Sequence, residues 1–290
     1  MFSRLPRITL IGAYFGALPF YSSLFFKSAA ANPAIEFLIV TDQCRPSPLP
    51  PNIRFLSMTS VTFERLASER IGHRMRLASA RKLCDYKPAY GLIFCEFIRG
   101  ADYWGHIDFD IVWGNIARHL IKPIAYGYDV ISGDGKRLSG PFTIYRNSRE
   151  LRELFRDIPD AVSKLNSPES FDLDEQDFDV LVKQSRIALT MQSFYTRRDI
   201  SPEELLEFFP NREVYGLLID GLRWSRTTGR RLPAAWRLGE LWNCLPTHNP
   251  TKIRLLNAMF LHLTNAKVRF IVDFRNDLIL PSTAGLEASQ

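Results

Sequence analysis

The stretch that decides the fold of this chain is YWGHIDFDIVWG at residues 103–114. Its first half is apolar, as in a short buried strand, and the strand ends in two carboxylates, Asp108 and Asp110. Side chains at positions i and i+2 of a strand point the same way, so both carboxylates are expected to reach one site. Two hard oxygen ligands suit Mg²⁺ or Mn²⁺. The alternative is a loop aspartate and a capping aspartate beside an ordinary buried strand, because short motifs often match by chance.

Length and composition narrow the class of protein. The 290 residues suffice for one large domain or for a domain with a subdomain. With 46% hydrophobic and 23% charged residues, the composition is typical of a soluble globular protein. The formal charge of +6 mildly favours anionic partners such as nucleotides or a membrane surface, and no nucleic-acid-binding motif is present. The four cysteines form no C-x-x-C pair, which argues against a zinc knuckle and fits free thiols in a reducing compartment.

Apolar runs alternate with helical patterns through the first half of the chain. The predicted strands are 8–12, 36–41, 54–58 and 103–107, and the predicted helices between them are 20–31, 61–71 and 88–98. Such alternation favours an α/β fold in which a mostly parallel central sheet is flanked by helices.

The N-terminal segment allows two interpretations. Arg4 and Arg7 precede an apolar stretch at 8–26, which superficially resembles a signal peptide. Polar residues and Pro19 interrupt this stretch, so it makes a poor membrane span. A strand–helix–strand unit explains the pattern better, and it predicts a protein that keeps its N-terminus and works in the cytoplasm.

The second half of the chain has a different pattern. Strands are predicted at 124–132 and 141–145, followed by helices at 148–155, with Ser148 as N-cap, and at 171–184. Broken strands are predicted over 214–245, and a late helix over 251–263.

Ligands of open α/β sheets bind beyond the carboxyl ends of the strands. Asp42 follows the second predicted strand, and a glycine-bounded turn at 12–16 follows the first, so backbone there can approach a ligand. Lys82 and Lys87 lie beside a predicted helix start at Pro88, where a diphosphate could bind. The alternative for these lysines is a solvated basic loop.

Further candidates lie later in the chain. Asp174 and Glu175 precede a predicted helix and could bind an acceptor hydroxyl or act as a base, although acidic residues at a helix start are often only solvated. His262 would by itself indicate little, because a lone histidine on an apolar helix is usually structural.

Taken together, these pieces resemble a family. The string KLCDYKPAYGLIFCEFIRGADYWGHIDFDIVWG at 82–114 is similar to the central signature of bacterial GT-A-like glycosyltransferases associated with capsule and cell-surface polysaccharide genes. Tyr14-Phe15-Gly16, Asp42 and the string GPFTIYRN at 140–147 match other parts of that pattern. Two positions depart from it: Asn115 replaces a frequent Asp, and Asn265 replaces a late Lys.

The resemblance implies a GT-A-like nucleotide-sugar-binding fold with a C-terminal acceptor-side subdomain. It implies a Mn²⁺ or Mg²⁺ ion held by Asp108 and Asp110, with His262 as a further ligand. Residues 1–147 would bind the nucleotide-sugar donor, 148–270 would form the acceptor side, and 271–290 would be a tail. The acceptor would be a saccharide or a lipid-linked saccharide at the inner face of the membrane. The residues predicted to contact the donor are Tyr14, Phe15, Asp42, Lys82, Asp85, Lys87, His106, Thr143 and Arg146.

Two other functions remain open at this stage. The string DFDIV at 108–112 also fits the D-x-D-x-[TV] motif of haloacid-dehalogenase-type phosphotransferases, in which the first Asp is phosphorylated. That motif normally closes the first strand of its domain, whereas three predicted strands precede it here. The third interpretation is a non-catalytic nucleotide-sugar-binding protein. The departures from the family pattern at Asn115 and Asn265 favour it, whereas the retained Asp108 and Asp110 argue against it.

Overall fold

The structure is a computed structural model. It describes residues 6–19, 22–191, 195–204, 234–237, 239–246, 253–262, 269–273 and 278–282. The chain forms two compact units, Met1–Phe109 with Leu120–Ser193 and Asp110–His119 with Phe194–Gln290. These units do not follow the predicted division at residue 147, so the assignment of donor and acceptor sides stays a prediction.

The first unit is built on a seven-stranded sheet in the order β3-β2-β1-β4-β7-β6-β8. β2 runs parallel to both β1 and β3, β1 is also parallel to β4, and β6 is parallel to β8, whereas β7 lies antiparallel between β4 and β6. The predicted α/β fold, with a mostly parallel central sheet flanked by helices, is confirmed. The strands are β1 Ile8–Tyr14, β2 Ile35–Thr41, β3 Ile53–Ser57, β4 Tyr103–Ile107, β6 Val130–Ser132, β7 Phe142–Arg146 and β8 Leu189–Met191.

The strand–helix–strand interpretation of the N-terminal segment is confirmed for its described part. β1 pairs with β2 on one side and β4 on the other, so it lies inside the sheet. Nearly all of its side chains and those of β2 are buried, as expected of strands that helices cover on both faces.

Eight α-helices have both ends among the described residues. α2 illustrates how local sequence sets their ends: the Thr59 side chain accepts the Thr62 N–H at the start, and Gly72 ends the helix in the left-handed region. Ser148 caps α6 as predicted, by accepting the Leu151 N–H. The helices are α1 Ser22–Ala30, α2 Ser60–Ile71, α3 Leu83–Tyr86, α4 Tyr90–Ile93, α5 Ile116–Ala125, α6 Arg149–Glu153, α7 Ala161–Asn166 and α8 Asp177–Gln184.

Three predicted elements of the first unit are wrong in extent. The predicted helix 88–98 is a single α-turn, Tyr90–Ile93, within a chain of short helical turns that starts at Ala80. The predicted strand 124–132 is only Val130–Ser132, because α5 continues to Ala125. The predicted helix 171–184 begins at Asp177, since the residues before it form a loop in which Asp172 has a φ of 48°.

The second unit contains a two-stranded sheet of β5 and β13 and a six-stranded sheet in the order β14-β15-β10-β11-β12-β9. The predicted helix 251–263 is wrong for its described part, 253–262: this part forms β12 and β13, whose backbone hydrogen bonds go to β11, β9 and β5 rather than along a helix. β10 and β11 agree with the predicted strands over 214–245, of which 214–233 and 238 lie outside the described residues. The bounds are β5 Ile111–Trp113, β9 Tyr195–Ile200, β10 Ala234–Arg237, β11 Glu240–Pro246, β12 Ile253–Ala258, β13 Phe260–His262, β14 Arg269–Asp273 and β15 Leu278–Ser282.

Candidate functional site

The Asp108 carboxylate comes directly after β4, at the carboxyl edge of the parallel strands of the first unit. The backbone N–H of Asp108 donates to the Pro141 carbonyl at 3.3 Å, which links it to the turn before β7. About a quarter of the Asp108 side chain is exposed, 27%, whereas β4 itself is fully buried. The sheet therefore presents this carboxylate at the edge where ligands of open α/β sheets bind.

The residue between the two aspartates anchors the motif. Phe109 is 5% exposed and its ring packs with Phe25 at a centroid distance of 5.0 Å and with Tyr14 at 5.5 Å. A Cβ on Gly12 would come within 3.1 Å of the Phe109 ring, so this strand position has little room for a larger residue. Burial of Phe109 among these rings fixes the backbone that carries Asp108.

Lys87 lies at the centre of the charged groups. Its ammonium nitrogen is 2.7 Å from Asp108 Oδ1 and 3.3 Å from Asp174 Oδ2, and it donates to the Gly140 carbonyl at 2.8 Å. The side chain is only 5% exposed. Burial lowers the pKa of Lys87, but Asp108 and Asp174 raise it by more, and the resulting pKa lies well above the usual value. Lys87 is therefore charged, and it joins two carboxylates that are 66 positions apart in the chain.

Asp174 and Glu175, the predicted catalytic carboxylates, are brought to this network. Burial, helped by the negative charges of Asp108 and Glu175, raises the pKa of Asp174 to about 6 although Lys87 opposes the shift. Glu175 accepts the Gly140 N–H at 3.0 Å and lies 3.0 Å from the Arg137 guanidinium. A carboxyl group with a pKa near neutrality can exchange a proton at physiological pH, which is the property that general acid–base chemistry requires.

Glycine at position 140 lets these carboxylates approach the turn, and a larger residue there would displace them. A Cβ there would lie 2.6 Å from Glu175 Oε1 and 2.9 Å from Asp174 Oδ2. His106 and Thr143 hold the same turn from inside: His106 Nε2 lies 3.1 Å from the Ser139 carbonyl, and the Thr143 hydroxyl donates to it at 2.9 Å.

The deep burial of His106 and Thr143 favours a structural role. Both side chains are fully buried, and burial together with Lys87 lowers the pKa of His106 to about 3, so the imidazole is neutral. Arg146, also predicted at the donor, is paired with Asp129 and lies over the Tyr103 ring. The contacts of His106 and Thr143 support the turn, whereas strand register places Arg146 opposite Tyr103, at the other end of β4 from Asp108. Donor contact by the three residues stays a prediction.

Lys82 and Asp85 bind each other inside the protein. Their side chains are 1% and 0% exposed, and the ammonium lies 2.7 Å from Asp85 Oδ2. Lys82 also donates to the Glu169 carbonyl at 2.5 Å. Because the Lys82 side chain is buried, the solvated-loop alternative is wrong for this lysine. A phosphate contact would require Lys82 and Asp85 to leave these partners, so this geometry gives the predicted phosphate role no support.

The loops after β1 and β2 contact each other at the carboxyl ends of these strands. Gly16 has a φ of 99°, and its N–H donates to Asp42 Oδ1 at 3.0 Å. Hydrogen bonds from Gln43 and from the Gly16 backbone lower the pKa of Asp42. Phe15 is 9% exposed, whereas Tyr14 is only partly buried. Of this group, Tyr14 and Asp42 have surface available for a ligand at the strand edge.

Asp110 and His262 belong to the second unit. Antiparallel pairing of β5 with β13 places His262 opposite Ile111, one residue from Asp110. Asn115, one of the departures from the family pattern, accepts the Arg118 N–H at 3.0 Å at the start of α5, which is an N-cap contact that Asn makes as well as Asp. This departure therefore has a structural explanation.

The residue types predicted as metal ligands, Asp108, Asp110 and His262, suit a divalent cation. Carboxylates and a neutral imidazole are ligands that Mn²⁺ accepts, and backbone register brings His262 next to the residue that follows Asp110. Among the side chains that the structure describes, no cluster of three His, Cys, Asp or Glu groups has the geometry of a metal site. The His262 side chain is not one of those described.

Sequence reasoning missed Arg137 and Ser139. Arg137 pairs with Glu175, and Ser139 receives the hydrogen bonds of His106 and Thr143. Their only signal was proximity to the string at 140–147, because neither residue type is distinctive by itself.

Comparison with known proteins identifies the family. Residues 10–280 match the model of a family described as "Family of unknown function (DUF6625)". The chain belongs to this family. A search of curated protein sequences found no match for this DUF6625 chain.

Solved structures similar to the DUF6625 chain include glycosyltransferases. An active-site mutant of LgtC shows 10% identity and a TM-score of 0.36, covering 58% of this chain and 71% of its own. The galactosyltransferase LgtC in complex with donor and acceptor sugar analogues shows 12% identity and a TM-score of 0.35, and the match covers 60% of this chain and 69% of LgtC. Mouse xyloside xylosyltransferase 1 shows 8% identity and a TM-score of 0.36, and the match covers 62% of this chain and 82% of the xylosyltransferase. The fold assignment itself follows from the strand order given above.

Proposed function

We propose that this protein is a metal-dependent glycosyltransferase that moves a sugar from a nucleotide-sugar donor to a saccharide or glycolipid acceptor of a cell surface. The observation that carries the proposal is the network of Asp108, Lys87 and Asp174 at the carboxyl edge of the sheet. It combines a partly exposed carboxylate of the D-x-D with a buried carboxyl group whose pKa is raised to about 6.

Asp108, Asp110 and His262 are the residues that would hold Mn²⁺ or Mg²⁺. When bound, such an ion supplies Lewis-acid stabilisation to the nucleoside diphosphate that leaves the sugar. Tyr14 and Asp42, on the loops after β1 and β2, would contact the donor from the neighbouring strand ends.

Asp174 and Glu175 would act on the acceptor. Asp174 can accept a hydrogen bond or a proton from an acceptor hydroxyl, because its pKa of about 6 leaves it largely ionised at neutral pH but still able to take up a proton. Glu175, held by Gly140 and Arg137, would orient the acceptor beside it.

The site of action would be the cytoplasm, at the inner face of the membrane where lipid-linked acceptors lie. The formal charge of +6 supports attraction to an anionic surface, since each Lys or Arg near such a membrane adds about 1 kcal/mol. Within the described residues, no helix has the length and apolar character needed to cross a membrane.

Calorimetry of nucleoside diphosphate binding tests the proposal. UDP and GDP are titrated with Mn²⁺ and with EDTA, and a thermal-shift panel of nucleotide sugars identifies the donor; a ligand at 100 times its Kd should stabilise the fold by about 2.7 kcal/mol. Asp110→Ala should remove most of the metal dependence, whereas the exposed Asp157→Ala should retain it. Equal affinity with EDTA and with Mn²⁺ would contradict the metal role.

One observation favours the phosphotransferase alternative. The Lys87–Asp108 contact of 2.7 Å is also a suitable arrangement for stabilising a phosphorylated aspartate. Beryllium fluoride trapping, or an aspartyl-phosphate detected by mass spectrometry with a phosphate-ester substrate, would replace the glycosyltransferase proposal; we expect neither.

A further inference from the structure

Two lysines on one run of short helical turns reach different carboxylates of the first unit. Lys82 ends the 3₁₀ turn Ala80–Lys82 and binds Asp85, whereas Lys87 begins the next 3₁₀ turn and binds Asp108 and Asp174. The Lys87 network belongs to the proposed active site, but Lys82 and Asp85 contact neither Asp108 nor Asp174.

Instead, the Lys82–Asp85 pair binds a loop, residues 169–175, which we name the carboxylate loop. The Asp85 carboxylate accepts the Phe171 N–H at 3.1 Å and the Leu173 N–H at 3.0 Å. Lys82 donates to the Glu169 carbonyl and lies 4.8 Å from the centre of the Phe171 ring. Three alternate residues of the loop are thus held by one buried ion pair.

The carboxylate loop depends on such contacts because its backbone is irregular. Asp172 has a φ of 48°, a left-handed conformation that a non-glycine residue adopts only when its surroundings favour it. The N–H groups of Glu175 and Gln176 turn back to the Asp172 carbonyl, so they do not pair with a strand.

Asp174 directly follows Leu173, the last of the three loop residues that the Lys82–Asp85 pair binds. Its carboxylate is 3.3 Å from Lys87, and the next residue, Glu175, accepts the Gly140 N–H at 3.0 Å. A shift of the loop backbone at Phe171 and Leu173 would therefore displace the Asp174 and Glu175 carboxylates from Lys87 and Gly140.

We infer that Lys82 and Asp85 are positioning residues: they hold the carboxylate loop so that Asp174 and Glu175 reach the site, and they do not contact the donor. Their effect on the reaction rests on the proposed function, whereas their effect on the loop can be measured without any activity.

Hydrogen exchange followed by mass spectrometry on the full chain measures the loop directly. In Asp85→Asn and Lys82→Met, peptides covering 167–176 should exchange at least about tenfold faster than in the wild type, while peptides of β1 and β2 should be unchanged. The matched control is Glu96→Gln, which removes the more exposed Arg70–Glu96 ion pair of 2.7 Å and should leave 167–176 unchanged. Wild-type protection of 167–176 in both variants overturns the inference.

If a single variant fails to fold, the double variant Lys82→Met with Asp85→Asn replaces it. This combination leaves no unpaired buried charge, so it preserves the core while it weakens the hold on Phe171 and Leu173. The same local increase in exchange is expected, and its absence contradicts the inference.

Kinetics then separate positioning from donor contact. Asp85→Asn should lower kcat at least tenfold and leave the Kd for UDP or GDP with Mn²⁺ within about twofold of wild type. In an Asp174→Asn background it should lower kcat by clearly less than in the wild type, because part of its effect passes through Asp174. A tenfold weaker Kd, or independent losses in the double variant, overturns the inference. A wild-type protein without turnover on any nucleotide sugar contradicts the proposed function, and the exchange result still decides the role in the loop.

Discussion

Two lysine–aspartate networks of the first unit differ in what remains available to a ligand. Lys82 and Asp85 are at most 1% exposed, and both are bound by Glu169, Phe171 or Leu173. Lys87 is equally central to its network, but its partner Asp108 is 27% exposed and its partner Asp174 has a pKa raised to about 6. Residue type is the same in both, so the exposure of Asp108 is what separates the candidate reactive network from the fully buried one.

The largest expected effect is on stability. Asp85→Ala should lower the free energy of unfolding by about 3–5 kcal/mol, because it leaves the buried Lys82 ammonium without its counter-charge and two backbone N–H groups without their acceptor. Urea denaturation measures the change. The exposed Asp157→Ala is the control and should stay within about 0.5 kcal/mol of wild type. A loss below about 1 kcal/mol for Asp85→Ala would erase the distinction between the networks.

Asp174 should make stability depend on pH. Its folded pKa of about 6 lies above the ordinary 3.8, so the folded state keeps a proton that the unfolded state releases. Stability should therefore fall as pH rises from about 4 to 6, by on the order of 3 kcal/mol for this group. Activity that requires ionised Asp174 should rise over the same window. Urea midpoints across pH measure the effect, and a slope that is identical in Asp174→Asn would show that Asp174 is not its source.

Lys87 should matter most for binding. Lys87→Ala should weaken binding of a nucleoside diphosphate with Mn²⁺ by about tenfold or more, because charge-assisted contacts contribute roughly 1.5–3 kcal/mol. Loss of the ammonium would also leave Asp108 and Asp174 uncompensated beside an anionic ligand. Calorimetry measures the Kd, with the exposed Lys136→Ala as control. An unchanged Kd would make the Lys87 network structural, like that of Lys82.

An exposed ion pair should give the smallest effect. Arg149 and Glu153 lie 3.0 Å apart on α6 with side chains 83% and 36% exposed. Arg149→Ala should change the free energy of unfolding by no more than about 0.5 kcal/mol, since solvent screens such pairs. Urea denaturation of Arg149→Ala and Asp85→Ala compares the exposed ion pair with the buried one. An equal loss of unfolding free energy in the two variants would show that burial does not determine the contribution of these pairs.

Elements with strong local patterns were predictable. β4 reads as apolar from Tyr103 to Ile107 and ends at the D-x-D, and the structure has the same bounds. The late segment was not predictable in this way, because residues 251–263 have apolar spacing compatible with a helix. The strand conformation of 253–258 and 260–262 depends on backbone pairing with β5, β9 and β11, which lie in other segments of the chain.

The candidate site shows the same division. Asp108, Lys87 and Asp174 were identified from sequence as candidates, but nothing local shows that one ammonium lies within 3.3 Å of both carboxylates. Lys82 illustrates the converse, since its position beside a predicted helix start suggested a phosphate contact and the fold buries it against Asp85.

The sequence by itself determined the α/β class, the strand that ends at Asp108, and the residue types available for chemistry, because periodicity and strand termini are local properties. Tertiary structure decided which lysine is buried against Asp85, that Asp174 has a pKa of about 6, and that His262 lies opposite Ile111. Burial, charge proximity and strand register arise from contacts between segments far apart in the chain, and they exist only once the chain has folded.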